Sequence, residues 1–321
     1  MPVTVLEVIQ RSSEFLAKKG VDSPRLNVEL LLAHLLKLPR MGLYLNFGRV
    51  LTPAEMEGLR ELVRRRGTRE PLQHILGSTS FCGLELAVNR HVLVPRPETE
   101  LLAESGWAFL SAEYGVPSAE SPIVASVPSV PFVSSSAREN ALSIEGGIAH
   151  HPTALDFGTG SGCLAIALAV KCPVARVVAL DVSPDALAMA RQNAASHQVE
   201  SRIQFIEGDG FSALAPKSRF NLIISNPPYI PSADIATLDP EVREHDPRLA
   251  LDGGADGLDF YRRQAREAGD FLLPGGRIMV ELGDGQAEAV KNLFEQQKWV
   301  VEAVKADYSK CPRVLIAHRA G

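Results

Sequence analysis

The sequence predicts an α/β protein: a mainly parallel sheet covered by helices on both faces, with a small helical domain ahead of it. Three observations carry this. After Pro152, seven short apolar segments alternate with helical stretches, a rhythm that specifies a parallel sheet with crossover helices. The first of those segments runs into a glycine turn, Gly158-Thr159-Gly160-Ser161-Gly162. Before residue 75, apolar residues recur at helical spacing between capping signals.

In chain order, Leu6, Ile9, Ser13 and Leu16 share one helical face, and Leu31, Leu32 and Leu35 continue the pattern in a second helix. Thr52-Pro53-Ala54-Glu55 is a capping box with proline at the first helical position, followed by the stripe Met56, Leu59, Leu62 and Val63. Arg64-Arg65-Arg66-Gly67 closes that helix with cations at the negative end of its dipole. With Arg60 and Arg69 these arginines form either a docking patch for an acidic partner or RNA, or a solvated helix end. Residues 1–75 thus read as a helical domain and 76–114 as a linker. Residues 115–152, rich in Ser, Pro and Val, read as a flexible insertion in which His150-His151 are linker residues rather than metal ligands. Strands are expected at 154–157, 176–180, 203–206, 220–225, 277–282, 300–304 and 314–318, within a domain spanning 153–321.

Net charge is −5 with a pI near 5.9, which argues against a whole-protein footprint for nucleic acid. Cys82, Cys163, Cys172 and Cys311 lack metal-ligand or disulfide spacing and read as reduced thiols. No apolar run reaches the ~18 residues of a membrane helix, and the first residues lack a signal peptide's pattern. A cytoplasmic protein without a membrane or metal role is expected.

The glycine turn lets backbone amides approach a ligand closely, but its third glycine comes one residue too early for the dinucleotide fingerprint. Asp181 ends the next strand, where a carboxylate can accept from two ribose hydroxyls; its alternative role is to cap the following helix. Asp156, inside the first strand, must find loop amides or the amino-acid end of a cofactor, because unpaired burial is costly. Gly208-Asp209-Gly210-Phe211 ends the third strand at the same edge, with Asp209 or Phe211 placed to meet an adenine ring.

The fourth strand ends on Ser225-Asn226-Pro227-Pro228-Tyr229-Ile230. Two prolines cannot donate to a ladder and force the chain out extended. Asn226 therefore stands at a strand's carboxyl end, where ligands bind in open α/β sheets, in a loop that offers acceptors to N–H groups.

Glycine loop, ribose carboxylate and Asn-Pro-Pro-Tyr together resemble the class I S-adenosylmethionine-dependent methyltransferases that modify planar nitrogens. Upstream, EPLQHILGSTSFCGLELAVNRHVLVPRPETELL, residues 70–102, resembles the matching segment of the release-factor glutamine N5-methyltransferases, the PrmC/HemK family, at Pro71, Gln73, Ile75, Gly77, Phe81, Gly83 and residues 92–100. Pro247, Ala250-Leu251, Gly253-Gly254, Asp256-Gly257-Leu258, Tyr261-Arg262 and Glu281-Leu282-Gly283 also match. Asn221, where aspartate is usual, His245-Asp246 and the long insertion depart from the pattern.

The resemblance implies a Rossmann-like, seven-stranded domain that binds S-adenosyl-L-methionine through Gly158, Thr159, Gly160, Ser161, Gly162, Asp181, Gly210 and Asn226. It implies methyl transfer to the glutamine amide of the Gly-Gly-Gln motif in class I peptide chain release factors, docked by the N-terminal helices. Asn226 and Pro227 would accept the two amide hydrogens, with Pro228 and Tyr229 walling the pocket. Asp156, Arg96, Glu98, Asp209, Phe211 and Glu281 are supporting candidates. The alternatives are an adenine-N6 or guanine-N2 nucleic-acid methyltransferase, a ribosomal-protein glutamine methyltransferase, and a cofactor-binding adaptor without activity.

Overall fold

A computed structural model describes residues 3–114 and 151–320; apart from its last two residues, the expected Ser/Pro-rich insertion lies outside them. The chain divides into two units, the first built from Met1–Thr79, Val88–Arg90 and Thr237–Asp246.

Helices α1 (Val5–Lys18), α2 (Pro24–Leu36), α3 (Arg40–Tyr44), α4 (Pro53–Gly67) and α5 (Leu72–Leu76) make most of the first unit. The predicted capping box is present: Thr52 Oγ1 accepts the Glu55 N–H at 3.3 Å and the Glu55 carboxylate accepts the Thr52 N–H at 2.8 Å. An unpredicted twin, Thr4 with Glu7, opens α1. The α1 face differs from expectation. Val5, Val8, Ile9 and Leu16 are the buried set, with Leu6 and Ser13 at its margin, because this set presents valines where the other would present a serine.

The α4 arginines are occupied by carboxylates. Arg60 pairs with Glu57, Arg64 with Glu61 and Arg65 with Glu70. Buried Arg66 donates to Asn27 Oδ1 at 2.8 Å and to Glu241 Oε1 at 2.9 Å, and Arg69 donates to the same oxygen at 2.5 Å. Arg66 and Arg69 thus belong to an internal network, whereas the Arg60 and Arg64 pairs lie on the surface. Burial pushes the Glu241 carboxyl up, but the Arg69 and Arg66 bonds outweigh it and hold the group below its usual range. The stabilisation is therefore present above the ordinary carboxylate range and is lost as pH falls. Glu241→Gln is expected to cost roughly 1.5 kcal/mol, the low end for hydrogen bonds to a charged group, since the pair is only partly buried. The difference in Tm from wild type should shrink on acidification; a constant difference would contradict the ionic account.

The stretch read as a linker holds a two-stranded sheet, β1 (Ser78–Phe81) with β2 (Leu84–Ala87), and helix α6 (Pro97–Tyr114). The main domain follows as β3 (Thr153–Phe157), α7 (Cys163–Lys171), β4 (Arg176–Asp181), α8 (Pro184–Ser196), β5 (Ile203–Glu207) and β6 (Phe220–Ser225). A short helix, α9 (Pro240–Arg243), lies in the segment that belongs to the first unit. The chain ends with α10 (Asp259–Glu267), β7 (Leu272–Glu281), α11 (Ala287–Gln296), β8 (Trp299–Ala306) and β9 (Pro312–Arg319). All seven expected strands are present.

They form one sheet in the order β5-β4-β3-β6-β7-β9-β8. The first five are parallel, and β9 runs antiparallel to both β7 and β8. Each central strand is buried on both faces. Leu222 and Ile224 join Leu102 and Leu168 in one core, while Ile223 joins Leu155, Tyr261 and Phe294 in the other. This explains why β6 reads as a continuous apolar run. Asn221 serves the register: its Oδ1 accepts the Thr153 N–H at 2.8 Å, tying the start of β3 to β6. The order turns back at β3, which places a switch-point crevice outside the carboxyl ends of β3 and β6. Among the described residues no helix is long and apolar enough to cross a membrane.

Candidate active site

β3 and β6 are parallel neighbours in which Asp156 pairs with Ile224, so the glycine turn and the Asn-Pro-Pro-Tyr loop leave the sheet side by side. Ser225 Oγ, buried, donates to the Phe157 carbonyl at 2.8 Å and fixes that adjacency.

The glycine turn curls around Asp181. Gly158 and Thr159 N–H both donate to the Leu180 carbonyl at 2.9 Å, and Gly160 N–H donates to Asp181 Oδ2 at 2.8 Å. Gly160 has φ +54 with nothing within 4 Å of where a Cβ would stand, so the turn presents bare backbone on an open face. Asp181 Oδ1 accepts the Ser183 N–H at 2.9 Å, and Ser183, rather than Asp181, caps α8. A carboxylate has about four acceptor positions, so one on each oxygen remains for a ribose. Gly208 N–H donates to the Asp181 carbonyl at 2.9 Å and brings the third loop to the same edge.

Asp156 is fully buried. Its Oδ2 accepts from Thr159 Oγ1 at 2.6 Å and from Ala165 N–H at 3.1 Å, one of the first α7 amides that lack a helical partner. Oδ1 has no protein partner. Burial, opposed by those two bonds, pushes the carboxyl up to about 7. Gly210 has φ +67 beneath the Arg263 guanidinium, which pairs with exposed Asp209 at 2.5 Å. Phe211 is buried, its ring 4.8 Å from that of Phe157 and 5.1 Å from that of Phe271. It braces the loop from within the core, because a phenyl ring gains more by burial among rings than at a wet edge.

Beyond β6, Pro227 is buried, and Asn226, Pro228 and Tyr229 are half-buried. Asn226 Nδ2 donates to Thr99 Oγ1 at 3.1 Å. Thr99 belongs to the first turn of α6, in the strip that also holds Arg96 and Glu98, both within electrostatic reach of the Tyr229 hydroxyl. Burial, followed by the Glu281 charge, pushes that hydroxyl up to about 12. Glu281, at the end of β7, is 2% exposed and lies beside the Thr99 and Asn226 side chains, both of which favour its charged form. The loop's outer strand pairs with residues 251–254: Ile230 N–H donates to the Leu251 carbonyl at 3.0 Å and Gly253 N–H to the Ile230 carbonyl at 2.8 Å. Gln286 Nε2 holds the Tyr229 carbonyl at 2.9 Å. Thr99, Ser225, Tyr261 and Gln286 were not expected as parts of the site. Of these, Thr99, Ser225 and Tyr261 lie within recognised stretches, and Gln286 carried no local signal.

The candidates therefore gather on one edge: Gly158, Thr159, Gly160, Ser161, Gly162, Asp156 and Asp181 on one side, and Asn226, Pro227, Pro228, Tyr229, Glu281, Arg96 and Glu98 on the other. Residues 7–77 match the PrmC N-terminal domain model and residues 143–239 the Methyltransferase small domain. Similar proteins include the release factor glutamine methyltransferase of Geobacter sulfurreducens, 44% identical over 293 residues, covering 91% of this chain and 89% of that one. That of Chlorobaculum tepidum is 42% identical over 316 residues, with 97% and 96% covered. That of Rhodospirillum rubrum is 38% identical over 312 residues, with 97% and 84% covered. Identity at this level along nearly the whole length places the chain in the release factor glutamine methyltransferase family.

Proposed function

We propose that this protein transfers a methyl group from S-adenosyl-L-methionine to the side-chain amide nitrogen of the glutamine in the Gly-Gly-Gln motif of class I peptide chain release factors, in the cytoplasm. The observation that carries the reading is the juxtaposition of the glycine turn and the Asn-Pro-Pro-Tyr loop at the switch point, in a chain of this family. S-adenosyl-L-methionine supplies an electrophilic methyl group on sulfonium sulfur. The residues suited to hold it are Gly158, Thr159, Gly160, Ser161 and Gly162, with Asp181 for the ribose, Asp156 toward the amino-acid end, and Gly210 at the rim; Asn226, at the reacting end, serves mainly the substrate.

An amide nitrogen is a poor nucleophile because its lone pair is delocalised, as the ~18–20 kcal/mol barrier to peptide rotation shows. Geometry supplies the help. Asn226 Oδ1 and the Pro227 carbonyl accept the two N–H bonds of the glutamine amide, fixing its plane and aiming nitrogen at the methyl group. Orientation of this kind contributes up to ~7–11 kcal/mol in well-placed reactions. As methylation proceeds the nitrogen becomes acidic and sheds one proton to water, so no strong base is required. Tyr229 and Pro228 wall the planar group. The helical unit, with exposed Met41, Leu45 and Val50, docks the release factor.

Methyl transfer from labelled S-adenosyl-L-methionine to purified release factor, with mass spectrometry to locate the added mass, tests the reading. One methyl on the Gly-Gly-Gln glutamine is the expected result; transfer only to ribosomal protein or nucleic acid overturns the substrate. For the cofactor side, Asp181→Ala is expected to weaken S-adenosyl-L-methionine binding by about 10²-fold, the loss of one or two hydrogen bonds to a charged group. Calorimetric titration measures it, and an unchanged Kd would remove Asp181 from the site.

A further inference from the structure

The side-chain amide of asparagine has two unlike ends, Oδ1 accepting and Nδ2 donating. A half-turn about its terminal torsion exchanges them. Asn226 can therefore act as an acceptor for substrate only if its surroundings decide which end faces out.

They do. Nδ2 donates to Thr99 Oγ1 at 3.1 Å, and the buried Glu281 carboxyl stands beside both side chains, close enough for each to favour its charged form. Thr99 and Glu281 are each 2% exposed, and Glu281 Oε2 has no protein partner to divert it. An ionised carboxylate accepts only, so the single Thr99 hydroxyl hydrogen is directed to Glu281 and Oγ1 is left to accept from Asn226. The planar amide then turns Oδ1 away from both partners. Reversing it would set Oδ1 against the carboxylate and against a hydroxyl oxygen whose hydrogen is engaged. Buried acceptors facing each other lose their hydrogen bonds at full desolvation cost.

We propose that Glu281 and Thr99 are positioning residues that lock the Asn226 amide with Oδ1 toward the substrate, an inference that rests on the reading of Asn226 as the amide acceptor. The lock is sensitive to protonation. Protonated Glu281 donates to Thr99, which frees the Thr99 hydrogen for Oδ1 and gives the reversed amide a complete set of bonds. Burial pushes the Glu281 carboxyl up to about 7, opposed first by the Thr99 bond and then by the Arg313 charge. The groups facing it are Arg313 from β9, Glu98 from α6, Tyr229 from the loop and Tyr261 from α10, whose hydroxyl donates to the Glu281 carbonyl at 2.8 Å. Tyr229, at about 12, and Arg313, held above its usual value, keep their charge states across the neutral range.

Steady-state methyl transfer to purified release factor decides the matter, using wild type, Asn226→Ala, Thr99→Val, Thr99→Ser and Glu281→Gln, with S-adenosyl-L-methionine affinity measured in parallel. Thr99→Val and Glu281→Gln should lower kcat about 10–100-fold through misorientation of the acceptor, with cofactor affinity retained. Thr99→Ser, which keeps the hydroxyl, should keep most of kcat. Wild-type kcat should fall as pH drops through neutrality, and Glu281→Gln should flatten that profile. Wild-type kcat in Thr99→Val and Glu281→Gln beside an inactive Asn226→Ala overturns the lock while the acceptor reading stands. Full activity in Asn226→Ala removes the reading beneath it. Equal losses in Thr99→Ser and Thr99→Val, the mark of a packing defect, also overturn the lock.

Discussion

Asn226→Ala is expected to lower the turnover of methyl transfer by about 10²–10³, the scale of removing one preorganised polar contact at a reacting group, while S-adenosyl-L-methionine affinity changes little. The separation follows from position. Asn226 stands one residue beyond β6, and its polar partners are Thr99 and Glu281, whereas the glycine turn and Asp181 organise the cofactor side through their own bonds. Backbone damage should be small, because Ser225 and the pairing of residue 230 with residue 251 hold the loop from either end. Comparing kcat with a directly titrated Kd checks the split. A variant that loses cofactor binding in step with turnover would move Asn226 out of the acceptor role.

Gly257→Ala should also lower turnover, and stability with it, from a residue that does not touch the glutamine. Gly257 has φ +77, and an added Cβ would overlap the Tyr229 carbonyl oxygen while standing 2.7 Å from Gln286 Nε2. The left-handed backbone costs alanine about 1–2 kcal/mol, and forced overpacking adds about 1–3 kcal/mol. Relief by a side chain is blocked, since the overlapped atom is backbone. Tyr229 must shift, and with it the wall of the pocket. Thermal melts should show a lowered Tm, and kinetics a kcat reduced by about tenfold or more. An unchanged Tm with full activity would mean that the contact is slack. Gly253 is under the same constraint: a Cβ there would stand 2.8 Å from Tyr229 Cα and 2.9 Å from the Pro228 carbonyl.

Much of this is legible in the sequence because its causes are local. Strand β6 announces itself by Phe220, Leu222, Ile223 and Ile224 within one short run and its end by two prolines; the α4 cap is written in four residues. The site residues that act through local backbone, the glycine turn, Asp181 and Asn226, are found the same way. What escapes is pairing between residues far apart. Glu29 reads as an ordinary surface glutamate of a helix, yet it is 1% exposed and accepts from Arg25 and Arg40 at 2.9 and 2.8 Å. Thr99 with Glu281, and Ser225 with Phe157, are likewise decided by which strands and helices become neighbours. The β1–β2 sheet is a different case, since a signal was present. Cys82 and Gly83 take φ +51 and +76, the primed-turn geometry of a tight hairpin, but a cysteine in the first turn position hides it.

The return of residues 237–246 to the helical unit bears on the order in which the chain completes itself. Domains made first usually fold first during synthesis. Here the amino-terminal helices emerge early, but Arg66 and Arg69 meet their shared carboxylate only once Glu241 has been made. By then β3, β4, β5 and β6 have all been synthesised. The unit begun first is among the last to close, so a nascent chain stalled before residue 241 carries two arginines waiting for a counter-charge.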